Sequence, residues 1–197
     1  MSPWNRELVR ASLAGLRFDE PKPLPRRAAV AIVLHLDPEE QGTEVLLMKR
    51  VERQGDPWSG QISLPGGRFE PEDPDLLATA IRETEEELGI DLVQTAVPVG
   101  RLEPLRARAR GKIQPLDVSP FVFLASSRLT ARVPGDEAED AFWFPLERAT
   151  SGSFDGIYML QHEGNEIEMP SWGYSGHTIW GMTHRILSGL IELLGDD

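Results

Sequence analysis

The segment from Asp73 to Leu88 constrains the fold most, because its apolar and acidic residues recur with the period of an α-helix. Pro74 near its start and Gly89 after its end are typical of helix boundaries. On a helical wheel with Leu76 at zero, its apolar residues fall between roughly 0° and 140°. This pattern predicts a helix that packs one face against a sheet.

Three glutamates lie on one flank of the helix, and two of them, Glu83 and Glu87, adjoin or enter that apolar face. Glu83 falls near roughly −20°, Glu87 near roughly +20° and Glu86 near roughly −80° on the same wheel. Carboxylates at this spacing repel one another, and those beside a core lose hydration. Acidic surface helices are common, but a bound cation would remove both costs here. Because the chain has no cysteine and no clustered histidine, oxygen ligands favour Mg²⁺ or Mn²⁺.

The loop before this helix supports a cation site. Pro65-Gly66-Gly67 lets the backbone pass close to the helix flank, where the carbonyl of Gly66 or Gly67 can complete a metal shell. A Gly-Gly pair alone is most often a simple turn. Here it is followed by acidic residues and then by Arg-Glu-x-x-Glu-Glu, which makes the combination informative.

The remaining patterns predict interleaved strands and helices. Strands are expected over Arg27–Leu36, Glu44–Val51, Ile62–Leu64, Ala96–Leu105, Leu116–Ala125 and Phe142–Leu146, with a final hairpin over Ile157–Leu160 and Glu166–Met169. Amphipathic helices are expected before Phe18 and over Thr178–Leu194, and a basic loop over Arg106–Gln114. Because hairpins are present, we expect an α/β fold with a mixed sheet, as one domain over residues 1–197.

Charge and composition limit the partners. A net charge of −12 disfavours an unassisted nucleic-acid binder, and an anionic substrate would need metal cations to approach. The simpler interpretation is that the charge only aids solubility. No apolar run is long enough to span a membrane, and the charged opening residues do not resemble a signal peptide. We therefore expect a soluble, cytoplasmic protein without membrane or nucleic-acid partners.

The segment from Gly67 to Ile90 resembles the Nudix box, whose pattern is G-x5-E-x7-R-E-U-x-E-E-x-G-U with U apolar. The matching positions are Arg82, Glu83, Glu86, Glu87, Gly89 and Ile90, and Thr84 stands where an apolar residue is usual. The first half departs from the pattern, because Pro74 stands at the glutamate position and Arg68 at the glycine position. Asp73 or Glu72 is expected to supply the missing acid.

The resemblance implies an α/β/α sandwich, with the box at about residues 66–90, that hydrolyses a diphosphate linkage. It implies that Glu83, Glu86 and Glu87 bind the divalent ions and that Arg82 joins the helix to the loop through an ion pair. In relatives a glutamate outside the box often acts as the base. Glu137 and Glu139 are the candidates here, although an acidic solvated turn is the alternative for either.

A longer stretch, from Leu46 to Glu83, resembles the coenzyme A pyrophosphatase branch of this family. The matches to its extended signature are Leu46, Leu47, Arg50, Gly60, Pro65, Gly66, Gly67, Asp73, Thr79, Ala80, Arg82 and Glu83. Met48 and Val51 differ from it, Trp58 replaces a histidine, and one residue is inserted between Arg50 and Gly60. The resemblance implies that coenzyme A or its acyl derivatives are substrates.

Three other functions remain open at this stage. The first is hydrolysis of ADP-ribose, a nucleotide sugar or a dinucleoside polyphosphate by the same box. The second is a Nudix-like domain that binds a nucleotide or a protein without hydrolysing it, which the retained glutamates disfavour. The third is an unrelated acidic α/β protein. The resemblance also allows a homodimer, with the N-terminal helix as a contact.

Several residues outside the box have two interpretations each. Arg50 contacts a phosphate or pairs with an acid, and Trp58 stacks on an adenine or anchors its loop. The basic residues Arg106, Arg108, Arg110 and Lys112 meet a 3′-phosphate or are solvated. The aromatic residues Trp172, Tyr174 and Trp180 line a pocket or, as we expect, bury the C-terminal helix. His177 and His184 are expected to be structural.

Overall fold

A computed structural model describes residues 6–19, 26–36, 42–55, 58–109, 112–133 and 135–195. Its elements, in chain order, are α1 (Arg6–Leu13), β1 (Arg27–Leu36), β2 (Thr43–Arg50), β3 (Ile62–Ser63), β4 (Gly66–Arg68), α2 (Leu76–Leu88), α3 (Leu92–Thr95), β5 (Ala96–Arg101), β6 (Leu105–Ala109), β7 (Lys112–Ala125), β8 (Ala138–Pro145), α4 (Leu146–Ala149), β9 (Asp155–His162), β10 (Asn165–Tyr174), β11 (His177–Trp180) and α5 (Gly181–Gly195).

The larger sheet is mixed, as the sequence predicted. It has eight strands, with the order β3–β2–β1–β7–β5, while β4 pairs with β1, β6 with β7 and β8 with β2. Strands β1 and β7 run parallel, and the other pairs are antiparallel. The continuous apolar run of β1 has a simple cause, because this central strand is covered on both faces.

Helices cover the two faces of this sheet. Successive residues of a strand point to opposite sides, so Ile32 and Leu34 pack with α1 and α5, whereas Ala31 and Val33 pack with α2. The predicted α/β/α arrangement is therefore confirmed. Of the described helices, none is long and apolar enough to cross a membrane.

A second, three-stranded sheet has the order β11–β10–β9. The predicted final hairpin is confirmed and is longer than the sequence suggested, because β9 and β10 pair from Asp155 opposite Trp172 to His162 opposite Asn165. The prediction that the closing helix starts at Thr178 is wrong. Residues His177–Trp180 instead pair with β10, and Gly181, with a φ of 65°, turns the chain into α5.

Several other boundaries differ from the sequence prediction, since β8 begins at Ala138 rather than Phe142 and β5 ends at Arg101 rather than Leu105. The predicted basic loop is the hairpin of β6 and β7, with Arg106 opposite Asp117, and Arg110 lies outside the described residues. Helix α2 begins at Leu76, because the side chain of Asp75 accepts a hydrogen bond from the amide of Ala78 at 2.8 Å. The predicted end at Gly89 is confirmed, since Gly89 adopts a left-handed φ of 62°.

The predicted opening helix is confirmed where the structure describes it. Val9 and Leu13 of α1 are buried in the core shared with α5, whereas Leu8 is exposed. Trp4, an apolar residue of the segment predicted to form this helix, lies outside the described residues.

Candidate active site

Three carboxylates from two distant parts of the chain meet beside the central sheet. Glu83 and Glu87 come from α2 and Glu137 from the residue before β8, and one oxygen of each lies within 4.8 Å of the others. Glu87 is only 2% exposed, whereas Glu85, on the opposite side of the helix, is exposed. The predicted placement of Glu83 and Glu87 against the apolar face is confirmed. Hard oxygen donors this close together suit a divalent cation.

A β-bulge separates the two candidate bases. In a regular strand, residues two apart point to the same side. Here Lys49 pairs with Asp140 but Arg50 pairs with Ala138, so Glu139 is an extra residue in β8. Glu137 therefore joins the carboxylate cluster, while Glu139 is half exposed and its Oε2 lies 3.0 Å from Nζ of Lys49.

The two glycines of the preceding loop lie directly against these glutamates. The amide of Gly66 donates to Oε2 of Glu87 at 2.7 Å. A Cβ at Gly66 would lie 2.2 Å from the carbonyl oxygen of Ala29, and one at Gly67 would lie 2.4 Å from the carboxyl carbon of Glu83. Only glycine fits at position 66, where the clash is with backbone, whereas a side chain at position 67 would displace the carboxylate of Glu83. The role of the Gly67 carbonyl as a metal ligand stays a prediction.

Arg82 joins the helix to the loop, as expected. Its Nε and Nη2 meet the two oxygens of Asp73 at 3.0 and 3.1 Å, and Nη2 also donates to the carbonyl of Arg68 at 3.1 Å. Its Nη1 lies 3.1 Å from Glu83 and 3.0 Å from Glu86. A fork-shaped guanidinium can make all these contacts at once, which a lysine could not.

Asp73, and not Glu72, supplies the acid that the general box pattern places elsewhere. Asp73 is buried, and its Oδ2 also accepts hydrogen bonds from the hydroxyl of Thr79 at 2.8 Å and the amide of Glu70 at 3.0 Å. Glu72 is exposed. The unusual Thr84 is also explained, because its buried hydroxyl donates to the carbonyl of Ala80 at 2.7 Å.

Burial and hydrogen bonding shift the pKa values of these acids in opposite directions. Burial raises the pKa of Glu87 to about 8, against the opposing effects of the Gly66 amide and Arg50. Burial also raises the pKa of Glu83, although Arg82 partly offsets it. The hydrogen bond from Arg82 holds the pKa of Asp73 down at about 2 and raises the pKa of Arg82 itself. Asp73 is thus stabilised in its ionised form, whereas ionising Glu83 or Glu87 costs free energy because these carboxyl groups are buried.

Glu86 lies outside the carboxylate cluster. Its side chain is 54% exposed and pairs with Arg82. Its role as a metal ligand stays a prediction. Arg50 lies closer to the cluster, with its Nη1 3.7 Å from Oε1 of the buried Glu87.

A cavity of about 800 Å³ adjoins the two glycines. Its lining includes Arg50, Trp58, Gly66 and Gly67, the four residues predicted to bind substrate. Four basic side chains line it, namely Lys49, Arg50, Arg68 and Arg185, and no described aspartate or glutamate does. Lys49 and Arg50 also pair with acids that lie outside the cavity lining, namely Glu139 and Glu87, so in a chain with a net charge of −12 this wall is locally basic. Sequence reasoning missed Arg68 and Arg185, because neither lies in a basic run.

The aromatic residues divide between the two predicted roles. Trp172 packs on His184 of α5, with ring centroids 4.2 Å apart, so it buries the closing helix as expected. Trp180 instead lines the cavity and stacks on Tyr158 at 3.9 Å. Arg106 forms an ion pair with Asp117 at 2.6 Å and does not line the cavity.

Comparison with known proteins identifies the family. The model of the NUDIX domain matches residues 25–162 of this chain. The chain belongs to the Nudix hydrolase family. It is 33% identical over 168 residues to the uncharacterized Nudix hydrolase NudL of Yersinia pestis (strain Pestoides F), covering 85% of this chain and 79% of that protein. The same values hold for NudL of Yersinia pseudotuberculosis serotype O:1b (strain IP 31758).

A solved Nudix structure shares the fold. The NUDIX hydrolase from Alicyclobacillus acidocaldarius aligns with a TM-score of 0.52 and 18% identity, over 86% of this chain and 90% of that one. Together with the family model, the Nudix relatives identify the chain as a hydrolase of the pyrophosphatase type.

Proposed function

We propose that this Nudix hydrolase cleaves the diphosphate linkage of a nucleoside diphosphate derivative with Mg²⁺ or Mn²⁺, and that coenzyme A and its acyl derivatives are its substrates. The observation that carries the proposal is the position of the carboxylate cluster, next to a cavity whose charged lining residues are all basic. Such a site accepts a polyanion on one side and cations on the other.

The residues of the cluster fit a divalent cation. Glu83, Glu87 and Glu137 offer three carboxylate oxygens, and the burial of the first two makes their charges costly without a cation. Glu86 and the carbonyl of Gly67 are further ligands in this proposal. When bound, the cations supply an activated water and neutralise the phosphoryl oxygens.

The protein groups around the cluster have separate tasks in the proposed reaction. Glu137 is better placed than Glu139 to accept a proton from the attacking water, because it faces the other two carboxylates and retains access to solvent. Arg50 bridges the cluster and the cavity, so it is positioned to contact a phosphate oxygen. Arg82 and Asp73 keep the helix and the loop in register and do not line the cavity.

Coenzyme A is favoured by the extended signature and by the cavity. The signature residues Arg50, Gly60, Gly66 and Gly67 all line the cavity, and so does Trp58, which stands where the signature has histidine. The basic side chains outside the signature, Arg68 and Arg185, provide positive charge for a further phosphate. ADP-ribose, nucleotide sugars and dinucleoside polyphosphates are the competing substrates.

A panel of diphosphates tests the proposal. Coenzyme A, ADP-ribose, ADP-glucose and diadenosine tetraphosphate would each be incubated with the protein and Mg²⁺ or Mn²⁺, and the products separated by ion-exchange chromatography. We expect cleavage of coenzyme A to 4′-phosphopantetheine and 3′,5′-ADP, and none in EDTA. Cleavage of another compound at a higher kcat/KM would overturn the substrate assignment, and no cleavage of any compound would overturn the hydrolytic function.

A further inference from the structure

The β9–β10 hairpin turns one of its two faces towards the cavity. Residues directly opposite in an antiparallel pair lie on the same face, and Leu160 pairs with Ile167 while Tyr158 pairs with Met169. All four of these side chains line the cavity. The intervening pair, Met159 and Glu168, lies on the other face and does not line it.

The inner face of the hairpin is mainly aliphatic. Leu160, Ile167 and Met169 offer no strong hydrogen-bonding group, so they would leave the hydroxyls of a sugar unpaired. The aromatic pair Tyr158 and Trp180 is already stacked at 3.9 Å, which occupies one ring face of each. Gln161 of the same hairpin also lines the cavity, but its amide donates to Glu166 at 2.5 Å. This wall therefore suits a flexible chain with aliphatic segments better than a second sugar or a second base.

The cavity is large enough to hold such a chain together with a nucleotide. Its volume of about 800 Å³ lies in the upper part of the range of about 300–1,000 Å³ for ligand pockets. The glycines beside the carboxylates and the basic side chains of β2 and β4 line the same cavity as the hairpin. One ligand can thus reach both the polar and the aliphatic walls.

We infer that the inner face of the β9–β10 hairpin is a subsite for an aliphatic arm carried by the substrate beyond its diphosphate. The inference rests on the proposed function for the position of the diphosphate and adds the residues that select the rest of the substrate. Leu160 and Ile167 form the centre of this subsite. Ligands that lack the arm gain no binding affinity from these side chains.

Binding without turnover tests the subsite independently of hydrolysis. Coenzyme A and 3′-phosphoadenosine 5′-diphosphate, which keeps the diphosphate but has no arm, would be titrated calorimetrically into the full chain in EDTA. We expect coenzyme A to bind about tenfold more tightly, and Ile167→Asn to remove this difference while 3′-phosphoadenosine 5′-diphosphate is bound within about twofold of wild type. Met159→Asn, on the outer face of the same hairpin, is the matched control and should preserve the difference.

Two results would overturn the subsite. One is equal affinity of the wild-type protein for coenzyme A and 3′-phosphoadenosine 5′-diphosphate, and the other is an equal loss of arm-dependent affinity in Ile167→Asn and Met159→Asn. Because Ile167 is 37% exposed, we expect the fold to tolerate its substitution, and circular dichroism would verify this. Failure of every diphosphate to be cleaved would contradict the proposed function, while the binding difference would still decide the subsite.

Discussion

Replacing Asp73 by asparagine is expected to destabilise the protein by about 2 kcal/mol at neutral pH. The pKa of this buried acid falls from 3.8 to about 2, mainly through the hydrogen bond from Arg82. Because one pKa unit corresponds to about 1.4 kcal/mol, the charged form contributes about 2 kcal/mol to the free energy of unfolding. Glu72→Gln, at the exposed neighbouring acid, is the matched control and should change stability by less than about 0.5 kcal/mol.

The pH dependence of this effect has a defined sign. The pKa of Asp73 is lower in the folded protein, so its contribution is fully present above the unfolded value of 3.8 and is lost as the pH falls through about 2. The difference between wild type and Asp73→Asn should therefore shrink to about 1 kcal/mol at pH 3. Arg82 would keep its contact with the Arg68 carbonyl in the variant, so the fold should persist.

Urea unfolding followed by tryptophan fluorescence measures these differences. Wild type, Asp73→Asn and Glu72→Gln would be compared in EDTA at pH 7 and at lower pH, at constant ionic strength. Equal destabilisation by the two substitutions would show that the acids are interchangeable. A loss in Asp73→Asn that grows as the pH falls would show that the assigned ion pair with Arg82 is wrong.

Three further predictions concern the carboxylate cluster and its loop. Glu137→Gln should lower kcat for the cleaved diphosphate by about 100-fold or more, whereas Glu139→Gln should stay within about threefold, and similar losses in both would refute the choice of Glu137. In EDTA the protein should become less stable as the pH rises from about 5 to 8, because the pKa of Glu87 is raised from 4.5 to about 8 and the folded state binds that proton more tightly. Urea titrations should show that the free energy of unfolding falls less steeply with pH in Glu87→Gln than in wild type. An equally steep fall in both proteins would contradict this. Gly67→Ala should weaken Mn²⁺ binding at least about tenfold by calorimetry, since its Cβ would meet Glu83 at 2.4 Å, whereas Gly173→Ala, with open space around it, should bind as wild type does.

Much of the fold follows from periodicity in the sequence. The apolar run of β1 has the predicted bounds because a central strand needs apolar residues along its whole length. The wheel of α2 correctly placed Glu83 and Glu87 against the core, since a helix of known register fixes which side chains face the sheet. The start of α5 was predicted three residues too early, because strand pairing overrode an amphipathic pattern.

The candidate site depends on contacts that local sequence does not encode. The choice between Glu137 and Glu139 is made by a bulge against β2, which depends on the pairing of two strands far apart in the chain. Arg68 and Arg185 reach the same cavity from β4 and α5, and no spacing in the sequence relates them. The aliphatic wall was missed for a similar reason, because the predicted hairpin gave no indication of what its inner face would meet.

The central claim is that the carboxylate cluster is a metal-dependent hydrolytic site. The most direct test is to measure the rate of diphosphate hydrolysis against Mg²⁺ concentration for wild type, Glu87→Gln and Glu85→Gln. Glu87 lies in the carboxylate cluster, and Glu85 is an exposed acid on the same helix. We expect saturable, Mg²⁺-dependent turnover in wild type and Glu85→Gln, and a loss of about 100-fold or more in Glu87→Gln. Turnover that survives in Glu87→Gln, or that continues in wild type without a divalent cation, would contradict a metal-dependent site at these glutamates.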